Sequence, residues 1–149
     1  MDIIFRAARP EDVAACIDIR GRTRENAFSI EQLAAVGVTL ETWSAAVGDG
    51  SLVGHVATAG GRMAGYCYGD RTTGEIVVLA LLPEYEGLGA GKTLLNLVVR
   101  ELQESGFKRL FLGCASDPEV RSYGFYRHLG WRSTGRFDEA NDEVLEYFP

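Results

Sequence analysis

The strongest hydrophobic pattern lies in the middle of the chain, where an almost continuous apolar run precedes a glycine-rich segment and a periodic one. The run EIVVLALL, residues 75–82, is bounded by Gly74 and Pro83, as is typical of a central strand buried on both faces. From Gly91 onward, apolar residues recur at helical spacing until Ser105. The pattern therefore predicts a strand, a loop and a helix in succession.

Weaker patterns predict helices and strands on both sides of this unit. Pro10 suits the start of a first helix that ends near Gly21, and cap signals at Ser29 and Thr39 predict two further short helices. Turn residues between alternating segments predict hairpins. We therefore expect the α/β class, as an α+β mixed sheet. The other predicted elements are strands at 2–8, 51–58, 62–69, 108–114, 131–137 and 143–148 and a helix at 119–129.

Composition limits the possible functions. With 149 residues, of which 46% are apolar and 24% charged, the chain fits one globular domain spanning residues 1–149. A net charge of −6 argues against nucleic acid as a partner, because such binding depends on clustered Lys and Arg. No apolar run approaches the roughly 20 residues that span a bilayer, and the N-terminus lacks the features of a signal peptide. We therefore expect a cytoplasmic protein without a membrane partner.

Few residues are candidates for a metal site. Cys16, Cys67 and Cys114 lie far apart within apolar segments, which indicates buried, reduced thiols. The two histidines are too far apart for a zinc site, so we expect no metal. Acidic residues concentrate at 138–146, where they form a solvated turn and strand edge or attract a cationic ligand.

The segment PEYEGLGAGKT, residues 83–93, connects the predicted central strand to the predicted helix. Glycine allows the backbone to approach a ligand closely, and the N–H groups at a helix N-terminus favour an anion. A phosphate or pyrophosphate is therefore the expected ligand. Alternatively, the glycines form a tight turn that lets the helix pack on the strand.

Two other nucleotide-binding motifs fit this segment poorly. Gly91-Lys92-Thr93 matches the end of a Walker A loop, but Glu86 stands where that pattern requires glycine. The strand at 108–114 also ends without the acidic residue that helps an NTPase to hold Mg²⁺. A dinucleotide-binding fold would place its glycine turn after the first strand.

The order of apolar strand, Pro-Glu-Tyr, Gly-Leu-Gly-Ala-Gly and helix resembles the acetyl-CoA-binding motif of the GNAT superfamily of N-acetyltransferases. Residues 125–131, FYRHLGW, resemble a second signature of that family, in which a tyrosine is followed after two or three residues by leucine, glycine and an aromatic residue. The resemblance covers the whole chain. It implies a GNAT-like fold with a central, largely antiparallel and splayed sheet flanked by helices.

This resemblance also implies acetyl-CoA as the acyl donor. Its pyrophosphate would lie on the N–H groups of residues 87–91, the glycine loop, and its pantetheine arm beside the central strand. The family usually carries Arg or Gln where this chain has Glu86. Because a carboxylate near pyrophosphate is unfavourable, we expect Glu86 to turn toward solvent. The implied coenzyme-binding residues are Leu79, Leu81, Glu86, Gly87, Leu88, Gly89, Ala90, Gly91, Lys92 and Tyr126.

By the same resemblance, Tyr126 protonates the departing thiolate after direct attack by an amine in a ternary complex. An alkylammonium has a pKa of about 10, so a base must remove its proton, and Glu75 is the candidate carboxylate. Other interpretations remain open. Tyr126 could be an aromatic core residue, and Glu75 could face solvent at the strand end while a water chain acts as the base.

The acceptor is less clearly indicated. Arg24 and Asn26 stand where similar proteins often line the acceptor site, and we expect a primary amine or an amino-acid-like compound. A non-catalytic sensor that binds acyl-CoA is the alternative function, because fold alone does not establish transfer. Exposed terminal strands also make a homodimer possible.

Overall fold

The computed structural model describes residues 2–24 and 27–149. Within those ranges, no helix has both the length and the apolar character that crossing a membrane requires. The strands are β1 (Ile3–Ala7), β2 (Leu52–Ala59), β3 (Arg62–Asp70), β4 (Ile76–Leu81), β5 (Leu110–Cys114), β6 (Arg132–Phe137) and β7 (Glu143–Tyr147). The α-helices are α1 (Val13–Arg20), α2 (Ile30–Ala35), α3 (Leu40–Asp49), α4 (Ala90–Glu104) and α5 (Arg121–His128).

The strands form two antiparallel sheets that meet along one short contact. The first sheet has the order β1-β2-β3-β4, and the second has the order β5-β7-β6. Between them, Glu75 and Phe111 form a parallel bridge, and the Phe111 N–H donates to the Gly74 carbonyl at 3.2 Å. In the described structure β4 and β5 share no further pairing beyond this bridge. The expected mixed, largely antiparallel and splayed sheet is therefore confirmed.

Hydrophobic packing fixes α4 on the first sheet. Leu94 and Val98 of α4 are fully buried in one cluster with Ala57 of β2 and Cys67 of β3. The opposite face of the sheet is covered by α1 and α3, where the rings of Trp43 and Tyr68 lie 5.0 Å apart. Full burial of one such leucine contributes roughly 1.5–3 kcal/mol. Because α4 is held in this way, its N-terminus stays close to the end of β4.

The predicted caps before β2 are confirmed. The Ser29 hydroxyl accepts from the Gln32 N–H at 3.1 Å, and the Gln32 side chain accepts from the Ser29 N–H at 2.8 Å. The Thr39 hydroxyl accepts from the Thr42 N–H at 3.1 Å and starts α3. These side chains satisfy N–H groups that a helix leaves without internal partners. The first predicted helix differs slightly, since it begins as a 3₁₀ turn, Pro10–Asp12.

The helix predicted over 119–129 begins two residues late, at Arg121. The Asp117 side chain accepts from the Glu119 N–H at 2.9 Å, and the Asp117 carbonyl accepts from the Val120 N–H at 3.0 Å. An aspartate turn of this kind competes with a first helical turn. The shift matters because it makes Arg121 the first residue of α5.

Candidate functional site

A cleft of about 490 Å³ opens where β4 and β5 separate. One wall is β4, and the opposite wall is the end of β5 with the start of α5. The glycine loop and residues of the α1–α2 segment lie along its mouth, and Asp142 reaches it from the connection between β6 and β7. The cleft therefore brings together parts of the chain that are distant in sequence.

In the part of the chain that the structure describes, strand β4 has a bulge on its β3 side and an unpaired edge on its β5 side, where the cleft lies. On its β3 side, Tyr68 pairs with Val78 and Gly69 pairs with Ile76, so Val77 is an extra residue in a β-bulge. A bulge leaves one residue outside the regular ladder and bends the strand. On its β5 side, no strand of the described structure pairs with β4 after Glu75. Backbone N–H and C=O groups of β4 are thus available to a ligand that lies in the cleft.

The glycine loop has the geometry of an anion site. Gly87 and Gly89 have φ angles of 77° and 82°, and a Cβ atom at either position would meet only open space. Gly89 is the N-cap residue of α4 and has no side chain that could accept a hydrogen bond from the first turn. The first backbone N–H of α4 with a helical partner is that of Thr93, which donates to the Gly89 carbonyl at 3.1 Å. The N–H groups of the first turn therefore lack helical partners, and the helix dipole adds positive potential there.

Gly91 serves a different purpose from the two preceding glycines. A Cβ atom at Gly91 would lie 3.3 Å from Leu81 Cδ1 and 3.6 Å from Phe125 Cζ. Its missing side chain lets the start of α4 pack closely on β4 and α5. The packing interpretation of the glycine segment therefore holds for Gly91, while Gly87 and Gly89 have the open geometry that an anion site requires.

Most of the predicted coenzyme-binding residues line the cleft. The exceptions are Leu88, which is 65% exposed, and Ala90, which is buried at the start of α4. Neither of these two residues is part of the cleft lining. The predicted residues that line the cleft are Leu79, Leu81, Glu86, Gly87, Gly89, Gly91, Lys92 and Tyr126.

The expectation that Glu86 turns toward solvent is wrong. Its side chain is only 11% exposed, because both carboxylate oxygens bind arginines. Arg24 Nε donates to Glu86 Oε1 at 2.8 Å, and Arg121 Nη1 lies 3.1 Å from Glu86 Oε2. Two guanidinium groups thus compensate the carboxylate that this chain carries beside the glycine loop.

Of the two predicted acceptor residues, only Arg24 can be placed. It lies on the cleft lining beside the glycine loop, whereas Asn26 lies outside the described residues. The sequence interpretation missed Arg121, which also lines the cleft. No local pattern marks Arg121, because its role depends on contact with a residue from another part of the chain.

Tyr126 is buried and also lines the cleft. Its ring packs edge-on against Phe125 and Trp131, with centroid distances of 5.1 Å and 6.1 Å. Burial raises the pKa of the Tyr126 phenol above its ordinary value, so the hydroxyl is protonated at neutral pH. Tyr126 is therefore a core aromatic residue that also borders the cleft.

Glu75 stands just before the part of β4 that lines the cleft, which begins at Ile76. Its position coincides with the bridge to Phe111, where the two sheets meet. Burial, followed by the charges of Asp70 and Asp138, raises the pKa of the half-buried Glu75 carboxyl. Such a shift moves a carboxylate toward the range in which a base works at neutral pH.

The thiols of Cys67 and Cys114 are poorly suited to act as nucleophiles. Burial raises the pKa of both Cys67 and Cys114, and the neutral thiol is a poor nucleophile. In residues 2–24 and 27–149, no group of three or more His, Cys, Asp or Glu is arranged to hold a metal ion.

Comparison with sequence families and with curated proteins gives two matches. The model of the acetyltransferase (GNAT) family matches residues 12–131. A protein from Prochlorococcus marinus described as an uncharacterized N-acetyltransferase, ycf52-like, is 39% identical over 67 residues, which are 41% of this chain. That match covers 35% of the relative, so it spans about a third of the relative's length.

Solved structures share the fold over the full chain. The PaiA N-acetyltransferase from Thermoplasma acidophilum, in complex with coenzyme A, has a TM-score of 0.81 at 20% identity, covering 100% of both chains. A putative GNAT acetyltransferase from Desulfovibrio desulfuricans has a TM-score of 0.80 at 18% identity, covering 99% of both. YncA from Salmonella typhimurium, with acetyl-CoA, has a TM-score of 0.75 at 16% identity, covering 99% of this chain and 94% of that one. At these identities the likeness establishes the fold alone.

Proposed function

The chain belongs to the acetyltransferase (GNAT) family, and from this premise we propose that it transfers the acetyl group of acetyl-CoA to a primary amine. The transfer takes place by direct attack in a ternary complex within a single domain that spans residues 1–149. The observation that carries the proposal is the cleft between β4 and β5, with the anion site of the glycine loop at its mouth. The cytoplasmic location and the homodimer stay predictions from the sequence.

The residues of the cleft fit the chemical parts of acetyl-CoA. N–H groups of the loop from Gly87 to Gly91 suit a diphosphate, and Lys92 adds a positive charge. The free edge of β4 at Leu79 and Leu81 suits an extended chain of amide groups, which can hydrogen-bond to it like an added strand. When bound, acetyl-CoA supplies the activated thioester.

We assign Tyr126 as the general acid. A tyrosine phenol has an ordinary pKa of about 10 and is protonated at neutral pH, and its place on the cleft lining puts it within the site where a departing thiolate would need a proton. The aromatic rings around it hold the tyrosine in one orientation. Backbone N–H groups on the unpaired edge of β4 are the donors we assign to the carbonyl oxygen of the thioester.

We assign Glu75 as the general base, acting through water. Glu75 directly precedes β4 and is not itself part of the cleft lining, so we place a water molecule between its carboxylate and the amine. Its raised pKa brings it closer to neutral pH than an ordinary glutamate. A covalent acetyl-enzyme is not required, since the buried Cys67 and Cys114 stay protonated.

For the acceptor we propose a small-molecule amine or an amino-acid-like compound. Asp142 lines the cleft and can attract an ammonium group, and Arg24, which the sequence predicts on the acceptor side, lies on the same lining. Asn26, predicted beside Arg24, is kept as a proposal from the sequence alone.

An acceptor panel tests the function directly. Purified protein is mixed with acetyl-CoA and a series of primary amines and amino acids, and thiol release is followed over time. We expect one chemical class of amine to raise thiol release well above the amine-free rate and to gain one acetyl group by mass spectrometry. The matched control is the quaternary ammonium analogue of the best amine, which has no N–H to acylate. Slow hydrolysis that no amine accelerates contradicts the proposal and favours a non-catalytic acyl-CoA sensor.

Replacement of Gly89 by glutamate tests the anion site. We expect Gly89→Glu to abolish CoA binding in calorimetry, because a carboxylate would stand where the diphosphate is proposed to bind. Gly61→Glu is the matched control, since Gly61 has a similar φ of 79° and equally open surroundings but lies in the β2–β3 turn. The two variants share the backbone strain of a left-handed residue, so only the location differs. Undiminished CoA binding by Gly89→Glu would remove the loop from the coenzyme site.

Replacement of Tyr126 by phenylalanine tests the general acid. We expect Tyr126→Phe to lower kcat about a hundredfold while the Kd for acetyl-CoA changes little, because the ring still fills its place in the core. Tyr123→Phe is the control, since Tyr123 lies on the same helix with its ring 3.6 Å from the Arg127 guanidinium. Equal turnover by the wild type and Tyr126→Phe excludes Tyr126 from the chemistry.

Replacement of Glu75 by glutamine tests the general base through pH. The base must be deprotonated, so kcat/KM of the wild type should rise with pH through the raised pKa of Glu75. We expect Glu75→Gln to lose this acidic limb and to lower kcat/KM about a hundredfold at neutral pH. Glu84→Gln, at an exposed position in the Pro83–Tyr85 turn, is the control. An unchanged pH profile in Glu75→Gln would assign the proton transfer to another group.

A further inference from the structure

Three charged side chains from three parts of the fold meet at the mouth of the cleft. Glu86 directly precedes the glycine loop, Arg24 follows α1, and Arg121 begins α5. All three line the cleft, and Glu86 forms ion pairs with both arginines. Two guanidinium groups and one carboxylate leave one net positive charge in this trio.

The two arginine side chains are much more exposed than the glutamate side chain. The Glu86 side chain is 11% exposed, whereas those of Arg24 and Arg121 are 61% and 53% exposed. An incoming anion can therefore reach both arginines from solvent without disturbing the core. The carboxylate occupies the inner position that the arginines face.

A diphosphate is a stronger partner for arginine than a single carboxylate. It carries more negative charge and more acceptor oxygens, and guanidinium groups bind phosphate through paired, charge-assisted hydrogen bonds. A carboxylate that remained close to a bound diphosphate would repel it. Arg24 and Arg121 therefore cannot pair fully with the Glu86 carboxylate and with a bound diphosphate at the same time.

We propose that Glu86 is an internal counter-anion of the coenzyme site. It holds Arg24 and Arg121 at the mouth of the cleft in the coenzyme-free protein and gives up both guanidinium groups to the diphosphate when coenzyme binds. The inference rests on the proposed function, because it requires CoA to bind in this cleft. It explains how a chain with glutamate beside the glycine loop still presents positive charge there.

A coupling between two parts of the cleft follows from this exchange. Arg24 belongs to the segment between α1 and α2, and Glu86 directly precedes the glycine loop. Transfer of Arg24 from the carboxylate to the diphosphate would tie the α1–α2 segment to the bound coenzyme. The coenzyme would then help to shape the side of the cleft proposed for the acceptor.

Calorimetric titrations with three ligands test the proposal. The ligands are CoA, dephospho-CoA, which lacks the 3′-phosphate, and pantetheine, which lacks all phosphates. We expect Glu86→Gln to bind CoA and dephospho-CoA about fivefold more tightly, because a competing negative charge is gone. Arg24→Gln and Arg121→Gln should each bind both nucleotides about tenfold more weakly. Pantetheine should bind all variants like the wild type.

The control removes an arginine from the same segment but outside the cleft. Arg22 pairs with Asp18 at 2.7 Å on the surface of α1, so Arg22→Gln should leave all three affinities unchanged. The salt dependence of CoA binding gives a second readout. It should be steeper in Glu86→Gln and shallower in the Arg24 and Arg121 variants than in the wild type, because the net charge that meets the diphosphate differs.

Three results would overturn the inference and leave the proposed function standing. Equal or weaker CoA binding by Glu86→Gln would show that the carboxylate is not a competitor. Weakened binding of CoA but not of dephospho-CoA by the arginine variants would assign them to the 3′-phosphate. Wild-type affinity in both arginine variants would exclude them from the site while the proposed function survives. A wild-type protein that binds no CoA would instead overturn the proposed function together with the inference.

Discussion

The structure depends on the way in which β4 and β5 part after a single bridge between Glu75 and Phe111. Were these strands paired along their length, β4 would be an ordinary central strand with both edges satisfied. Because they separate, one edge of β4 is open, and the cleft occupies the gap. Backbone groups left open in this way favour a ligand that can pair with them. The bulge at Val77 bends the same strand on its other edge.

The second constraint is the placement of charge in an acidic protein. The whole chain has a net charge of −6, yet the proposed coenzyme is an anion. The structure resolves this conflict locally, with an uncapped helix N-terminus, Lys92 and two arginines gathered at one place. Local charges and dipoles outweigh the net charge at short range, because salt screens distant charges beyond about 10 Å. The net charge thus argues against binding of extended polyanions and is compatible with binding of a small anionic ligand.

Much of the site could be predicted because its signals are local. Glycines at 87 and 89 allow left-handed backbone, and the apolar pattern that follows them fixes a helix whose N-terminus faces the loop. The caps at Ser29 and Thr39 are also short-range hydrogen bonds within a few residues. Each of these features depends on neighbours in sequence, so a single sequence contains the information for it. The tyrosine of the second motif is likewise on the cleft lining.

The sequence by itself determined the order of elements, the glycine loop at the start of α4 and the residue types that suit an acetyl-CoA site. Only the tertiary structure decided that Glu86 faces two arginines and that Gly91 serves packing against Leu81 and Phe125. The reason is physical, since a charged side chain takes the partner that folding brings within hydrogen-bond distance, and a glycine is required wherever another segment packs against it. Both depend on contacts between distant segments, and those exist only once the sheets have formed and α4 has packed on them.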